Sequence, residues 1–459
     1  NVLTDDDGSY EDWIELFNNS SEPINLQGYG LSDNSALPFQ WVFPEYWIQS
    51  GEHLLIWCSD KNRTNPLQPF HTNFKISSSG EPITLTDNFG NVVDSFPATI
   101  IPQNFSYGRQ NDGSLTFVIF PEPTPGTSNI TEGYSEILNP PIFSVNSGFY
   151  QDNLSLTLSS TDAETTIIYT LDGSEPNENN LSGTTYQYKN QYQFLPEDSV
   201  GSFLEESYTS YIYLDEIPIS DRSNLPNKIS TISTSYDSFP YYAPNEPIFK
   251  GTVVRAKAIK PGAMSSNVVT KNYFISNEGP DRFTLPVVAI SLDENLLFDY
   301  QNGIHVAGVD YDNWRAENPT DVAHNSNANY KRSGDQWEIK GNFSFFNDNT
   351  EILNQDIGIR IHGGFTRTHP QKSLRLYARG EFGESNFNHS LFNNPNYNSY
   401  KRLILRNSGN DAYSTYFRDA FIQKLDANGN FIWAKQIGGP FVPTFPTPVH
   451  SSALAVDAS

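Results

Sequence analysis

Apolar residues along the chain fall in short runs broken by glycine, proline, asparagine and aspartate. Trp13-Ile14-Glu15-Leu16-Phe17 and His53-Leu54-Leu55-Ile56-Trp57 are apolar-rich, and Ile83-Thr84-Leu85-Thr86 alternates. Turn sequences such as Asp7-Gly8, Asn88-Phe89-Gly90-Asn91 and Asp112-Gly113 separate them. Period-two alternation between turn signals predicts half-buried strands, and many such strands in succession predict a β-sandwich. The pattern restarts with Leu154-Ser155-Leu156-Thr157-Leu158 and Thr166-Ile167-Ile168-Tyr169-Thr170, which predict a second, smaller sandwich. From about residue 280 the grammar changes. Leu285-Pro286-Val287-Val288-Ala289-Ile290-Ser291-Leu292 predicts a buried strand and Glu294-Asn295-Leu296-Leu297-Phe298 one helical turn. Ile357, Ile359 and Ile361 alternate with Gly358, Arg360 and His362, so the isoleucines face a core and the basic side chains face away from it. Strand spacing resumes at Lys372-Ser373-Leu374-Arg375-Leu376-Tyr377.

Composition narrows the classes. At 459 residues the chain is long enough for about three domains. Phe (31) and Tyr (25) are abundant beside a single Met, which favours strands over long helices. A formal charge of −25 repels polyanions, so general nucleic-acid binding is not expected. No apolar run is long enough for a membrane-spanning helix. Cys58, the only cysteine, sits in an apolar run and reads as a small buried hydrophobe. The eight histidines are scattered without a zinc-binding spacing, and no Gly-x-Ser-x-Gly elbow is present. Asp5-Asp6-Asp7-Gly8-Ser9 and Asp426-Ala427-Asn428-Gly429-Asn430 offer oxygen ligands but lack the EF-hand pattern, and read as turns; no metal ligand is assigned. Against the acidic background, residues 355–425 carry ten Lys and Arg and five acids. That is where anion chemistry is expected.

Several ordered blocks carry family resemblances. Asp5-Asp6-Asp7-Gly8-Ser9-Tyr10-Glu11-Asp12-Trp13-Ile14-Glu15-Leu16-Phe17-Asn18, with Ile24 to Asp33, Phe74-Lys75-Ile76 and Gly80 to Leu85, resembles a bacterial lamin tail domain. The resemblance implies an immunoglobulin-like sandwich over 1–130, its first strand missing from this stretch. Ile168-Tyr169-Thr170-Leu171-Asp172-Gly173-Ser174-Glu175-Pro176, with Val253 to Ala258 and Ser265 to Val269, resembles the C-terminal β-sandwich of chitobiases and implies such a module over 134–276. A Tyr- and Ser-rich insertion at about 185–245 departs from that compact pattern and reads as an elaborate loop, with a ligand surface as the alternative.

Leu285 to Ser291, Asn302 to Gly308, Trp337-Glu338, Asp356 to Gly364, Gln371 to Leu376 and Leu403 to Asp411 resemble, in that order, the spore-coat CotH-type kinase family. The resemblance implies an α+β atypical kinase domain over 280–425 that binds ATP and Mg²⁺ and phosphorylates Ser or Thr of partner proteins. Two strands around a cation-rich, glycine-containing turn can lay basic groups over phosphates. Carried onto this sequence, the nucleotide contacts are Lys372, with Arg360, His362, Arg375, Gly363 and Gly364 around it. Thr415 to Phe421 predicts a helix, after which 426–459 resembles a β-propeller repeat fragment. The kinase's acidic half, which would hold the metal and position the acceptor hydroxyl, is expected to be absent and catalytic residues are unassigned.

The expected architecture is therefore mainly β and multidomain: an Ig-like sandwich, a second small sandwich and an incomplete α+β kinase-like domain. The expected setting is a secreted or cell-surface bacterial protein acting on secreted or surface proteins. A non-enzymatic adhesion or scaffold protein contacting cell-wall glycans is the alternative.

Overall fold

A computed structural model describes residues 3–237, 244, 246–392 and 398–407. The predicted helix near 415–421 and the propeller-like fragment at 426–459 lie outside the described residues. The chain is mainly β and divides into two compact units, the first made of 1–138 with 260–264 and the second of the remainder. Among the described residues no helix is long and apolar enough to cross a membrane.

In the first unit, Asp12–Phe17 pairs with His53–Cys58, which in turn pairs with Phe70–His71. A four-stranded sheet runs in the order Trp41–Val42, Gly30–Ser32, Ile83–Thr86, Val92–Phe96. Alternate residues Ile14, Leu54 and Ile56 meet Leu31, Trp41, Phe43 and Phe70 in one core, as a half-buried strand pattern requires. Cys58 belongs to that core, and burial pushes its thiol far above the ordinary range, so it behaves as a hydrophobe.

The second unit begins with a sandwich. Its main sheet has the order Gly148–Tyr150, Val269–Ile275, Thr252–Ile259, Thr166–Thr170, Tyr211–Ile212. Leu156, Ile167, Ile217, Val254 and Tyr273 fill its core. Next comes an antiparallel meander whose five strands lie side by side in chain order: Val287–Ser291, Ile339–Asn347, Thr350–His362, Ser373–Tyr377 and Arg402–Leu405. The sandwich packs directly on the meander. Phe149 and Phe274 stack at 4.8 Å and both meet Phe346 edge-on, while Asn272 Nδ2 donates to Ser344 Oγ at 3.0 Å in the buried seam.

The helix Gly308–Glu317 has no apolar stripe in its sequence. Tertiary packing holds it instead. Gly308 has φ +64°, and Asn329 presses so close that a Cβ there would run into its amide. That amide donates to the carbonyls of Tyr300 and Gln301, and its oxygen accepts from Asp310 N–H.

The tyrosine-rich insertion is the principal surprise of the fold. It forms a hairpin, Thr184–Lys189 with Phe203–Tyr208, and a further arm through Ile229–Thr231. Tyr186, Tyr192, Ile232 and Tyr236 are buried with Phe298, Val306, Tyr311 and Tyr330 of the segment between the first two meander strands. Tyr311 is fully buried, stacks on Tyr236 at 5.2 Å and meets Tyr192 edge-on at 6.0 Å. Its hydroxyl donates to the Gln193 carbonyl. The insertion therefore supplies one side of a core. Replacing Tyr311 by Ala is expected to cost about 3–5 kcal/mol, the usual range for a large aromatic truncated in a core. It should also raise amide exchange across Thr184–Tyr208 in mass-spectrometric measurements. Unchanged exchange there would show that the hairpin does not depend on this core.

Candidate functional site

Strand periodicity decides how the basic hairpin is used. Thr350–His362 and Ser373–Tyr377 pair with Arg360 opposite Arg375 and His362 opposite Ser373. Side chains at alternate positions point to opposite faces. Arg360, His362 and Arg375 share one face and Lys372 lies on the other. Of the six residues expected from sequence to contact one nucleotide, Arg360, His362, Gly363 and Arg375 line one cavity, Lys372 lines another, and Gly364 lines neither.

The first cavity, about 240 Å³, is lined by Arg332, Arg360, His362, Gly363, Arg367 and Arg375, with Trp337 and Tyr377 in its wall. Gly364 is not part of that wall. Arg360 is neutralised from behind by Asp335 and by Glu338, whose Oε2 is 2.7 Å from Nε. Gly358 makes this arrangement possible, because a Cβ at that position would strike the Glu338 carboxylate. Arg332 forms a forked pair with Asp310 at 2.7 and 2.9 Å and lies over Trp337 at 4.4 Å. Arg367 donates to the Gly363 carbonyl at 2.7 Å. Arg375 donates to His362 Nδ1 at 2.8 Å. His362 is held below its ordinary pKa by burial and by Arg375, Arg406 and Arg367. With Nδ1 accepting, the neutral ring carries its proton on Nε2, a donor with no hydrogen-bond partner among the described residues.

The second cavity, about 1360 Å³, lies on the opposite face of the hairpin. Leu292, Ile359, Leu374 and Leu405 give it an apolar wall; Lys372 and Glu294 are buried in it and His305 is half-buried. Lys372 Nζ donates to the carbonyls of Thr234 (3.2 Å) and His369 (3.0 Å) and lies over the Tyr330 ring at 4.6 Å. It makes no ion pair among the described residues. Burial holds its amine well below the ordinary lysine range, with Asp237 acting the other way. His305 is lowered for the same reason, and the nearby Lys372 adds to it. Burial raises Glu294 to about 7 although Lys228 Nζ, 2.8 Å away, opposes that shift. All three groups are driven toward their neutral forms, while Asp172, Asp198, Asp237, Arg282 and Arg406 also line the chamber.

A rival site exists in the first unit, where Asp5, Asp6 and His71 converge within 4.8 Å. Asp5 is paired with Lys61, Asp6 with Arg63 (3.1 Å) and His71 (2.8 Å), and Asp7 with both Lys61 (2.9 Å) and Arg63 (2.5 Å). His71 Nδ1 in turn meets Ser59 Oγ at 2.8 Å. These carboxylates close an internal ion-pair network that ties the Asp5–Ser9 turn to the strand Phe70–His71.

Trp337 and Arg367 stand in segments singled out from sequence but were not assigned to the site, and Arg332 was not singled out at all. All three come from the irregular and 3₁₀ segments around Asp335–Trp337 and Phe365–Thr368, which periodicity does not place. The β-sandwich fold and three family-model matches support a multidomain protein with a CotH-like module. Residues 1–99 match the family model of the Lamin Tail Domain, 145–195 that of the Chitobiase/beta-hexosaminidase C-terminal domain, and 359–429 that of the CotH kinase protein. Neither the curated proteins nor the solved structures contain a match to the chain.

Glu294 makes the second chamber accessible to a stability test. A carboxyl raised from 4.5 to about 7 binds its proton more tightly in the folded than in the unfolded chain. Its stabilising contribution is complete below pH 4.5 and is lost as pH rises through 7, by up to about 3 kcal/mol. Glu294→Gln should flatten the fall in unfolding free energy between those pH values, measured by urea titration. An unchanged slope would contradict the burial argument.

Proposed function

We propose that residues 280–407 form the nucleotide-binding part of a CotH-type Ser/Thr protein kinase module, carried by a secreted or cell-surface protein that acts on other surface proteins. One observation carries the reading. The CotH kinase match begins at Ile359, in the strand that walls the chamber containing Lys372. That chamber suits ATP better than the smaller cavity does. Its volume exceeds the roughly 300–1,000 Å³ of ordinary ligand pockets. Its leucine and isoleucine wall can take an apolar base, and Lys372 is a buried amine without a carboxylate partner among the described residues. Lysine acts toward phosphate as a point charge. The sandwich modules and the chitobiase-type match support a setting outside the cell.

Mg²⁺ would shield the phosphate charge and ATP would supply the transferable phosphoryl group. Among the described residues, however, the carboxylates of the chamber do not converge as a metal-ligand set; the three-ligand convergence lies at Asp5, Asp6 and His71. Lys372 would bind and orient the triphosphate, while the irregular insertion segment around Thr234 and Ser235 would exclude water above it.

Burial disfavours the charged amine of Lys372 and a bound anion favours it, so any proton exchange by this group on binding ATP should be an uptake. Calorimetry in buffers of different ionisation enthalpy is expected to show that uptake. Lys372→Met should weaken binding by about tenfold or more, the value of one charge-assisted contact, and reduce the uptake. Absence of saturable ATP binding, or Lys372→Met binding with unchanged affinity and proton uptake, would refute the reading.

A further inference from the structure

The smaller cavity on the opposite face of the hairpin is left without a role by a nucleotide bound at Lys372. Among the described residues four arginines line it and no carboxylate does. Two of these cations are already compensated, Arg360 by Asp335 and Glu338 and Arg332 by Asp310. Arg367 and Arg375 have no carboxylate partner among the described residues; their contacts are backbone carbonyls and His362. Arg375 also stands directly across the strand pair from Arg360, an arrangement of like charges that ordinarily destabilises a sheet. A sheet that keeps this pair while supplying acids to only one member has charge left over for a ligand.

The geometry defines the ligand class. Two guanidinium forks, the Nε2–H of His362 and the Gly363 turn surround a space of about 240 Å³. Arginine forks match tetrahedral oxyanions with parallel hydrogen bonds. The volume lies below the range of pockets that hold whole nucleotides or drug-sized ligands, and it accommodates a phosphate group with a short stem. Trp337 and Tyr377 supply flat walls and hold Arg332 and Arg360 in place through cation–π contacts at 4.4 and 4.8 Å. Burial and the neighbouring Arg375 lower the pKa of Arg367, as expected for cations gathered without a counterion.

We propose that this cavity is a docking site for a phosphomonoester dianion, and specifically for a phosphorylated Ser or Thr side chain of a partner protein. The anion site follows from the arginines alone. The choice of a phosphorylated side chain rests on the kinase reading, since that chemistry would produce such groups on its substrates. The module would then recruit partners already phosphorylated, using one face of the hairpin for docking and the other for nucleotide.

The test uses the full chain, with binding followed by Trp fluorescence and calorimetry. The probes are a Ser peptide, the same peptide phosphorylated, inorganic phosphate and ATP. The phosphopeptide is expected to bind saturably, the unmodified peptide not at all, and phosphate should compete. Arg375→Gln should weaken phosphopeptide binding by about tenfold or more and Arg375→Lys by less, because a lysine keeps the charge but not the fork. Thermal melting without ligand checks that both variants fold, and Arg367→Gln provides a second route to the same loss. Lys372→Met should leave phosphopeptide affinity within about twofold. Equal binding of the two peptides, binding of phosphate but not of phosphopeptide, or wild-type affinity in both arginine variants would overturn the proposal. Loss of phosphopeptide binding in Lys372→Met with Arg375→Gln unaffected would also overturn it, by moving the anion to the nucleotide chamber. Failure of ATP to bind while the phosphopeptide still binds through Arg375 would refute the nucleotide reading alone.

Discussion

The pairing register of Thr350–His362 with Ser373–Tyr377 is the constraint on which the rest depends. Because side chains alternate across a strand, placing Ile359, Leu374 and Leu376 toward the apolar side forces Arg360, His362 and Arg375 to the other. A slip of one residue would bury the arginines and expose the core. The register is thus fixed by hydrophobic burial, and the separation of two kinds of cation follows from it. Arginines, which stay charged, occupy the wetter face; the lysine, whose amine can lose its proton, occupies the buried one.

Neighbouring elements stabilise that division. Glu338 enters the space left by Gly358 and pairs with both Arg360 and Arg379. On the other side the insertion closes over Lys372, with Ser235 Oγ donating to the Thr368 carbonyl and the Thr234 carbonyl accepting from Lys372. A sandwich loop therefore completes the chamber of the CotH-like module. Phe149, Phe274 and Phe346 join the two parts in a continuous apolar seam. The sandwich and the meander are better understood as one packed body than as independent beads.

Much of the fold was legible from periodicity. Ile83–Thr86 and Thr166–Thr170 are strands over the residues whose alternation indicates them, and Glu294–Phe298 is the short helix expected. The long strand begins seven residues before its isoleucine run, at Thr350, because polar positions there pair with Ile339–Asn347 instead of facing a core. The helix Gly308–Glu317 was invisible because its polar sequence has no apolar face. Tyrosine clusters look alike in sequence whether they bind ligands or fill cores, so the role of the insertion required its partner surface. The candidate site was half legible. The alternation already places Lys372 in step with Leu374 and Leu376 and out of step with Arg375, whereas Arg332, Trp337 and Arg367 come together through loops that carry no period.

The central claim is that one hairpin serves two anions from its two faces, a triphosphate at Lys372 and a phosphomonoester at Arg367 and Arg375. An experimental structure of the full chain with a non-hydrolysable ATP analogue tests it most directly. The account predicts the triphosphate within hydrogen-bond reach of Lys372 Nζ, with the arginine cavity free of nucleotide. A triphosphate held by Arg367 and Arg375, with Lys372 still bonded only to the Thr234 and His369 carbonyls, would contradict it.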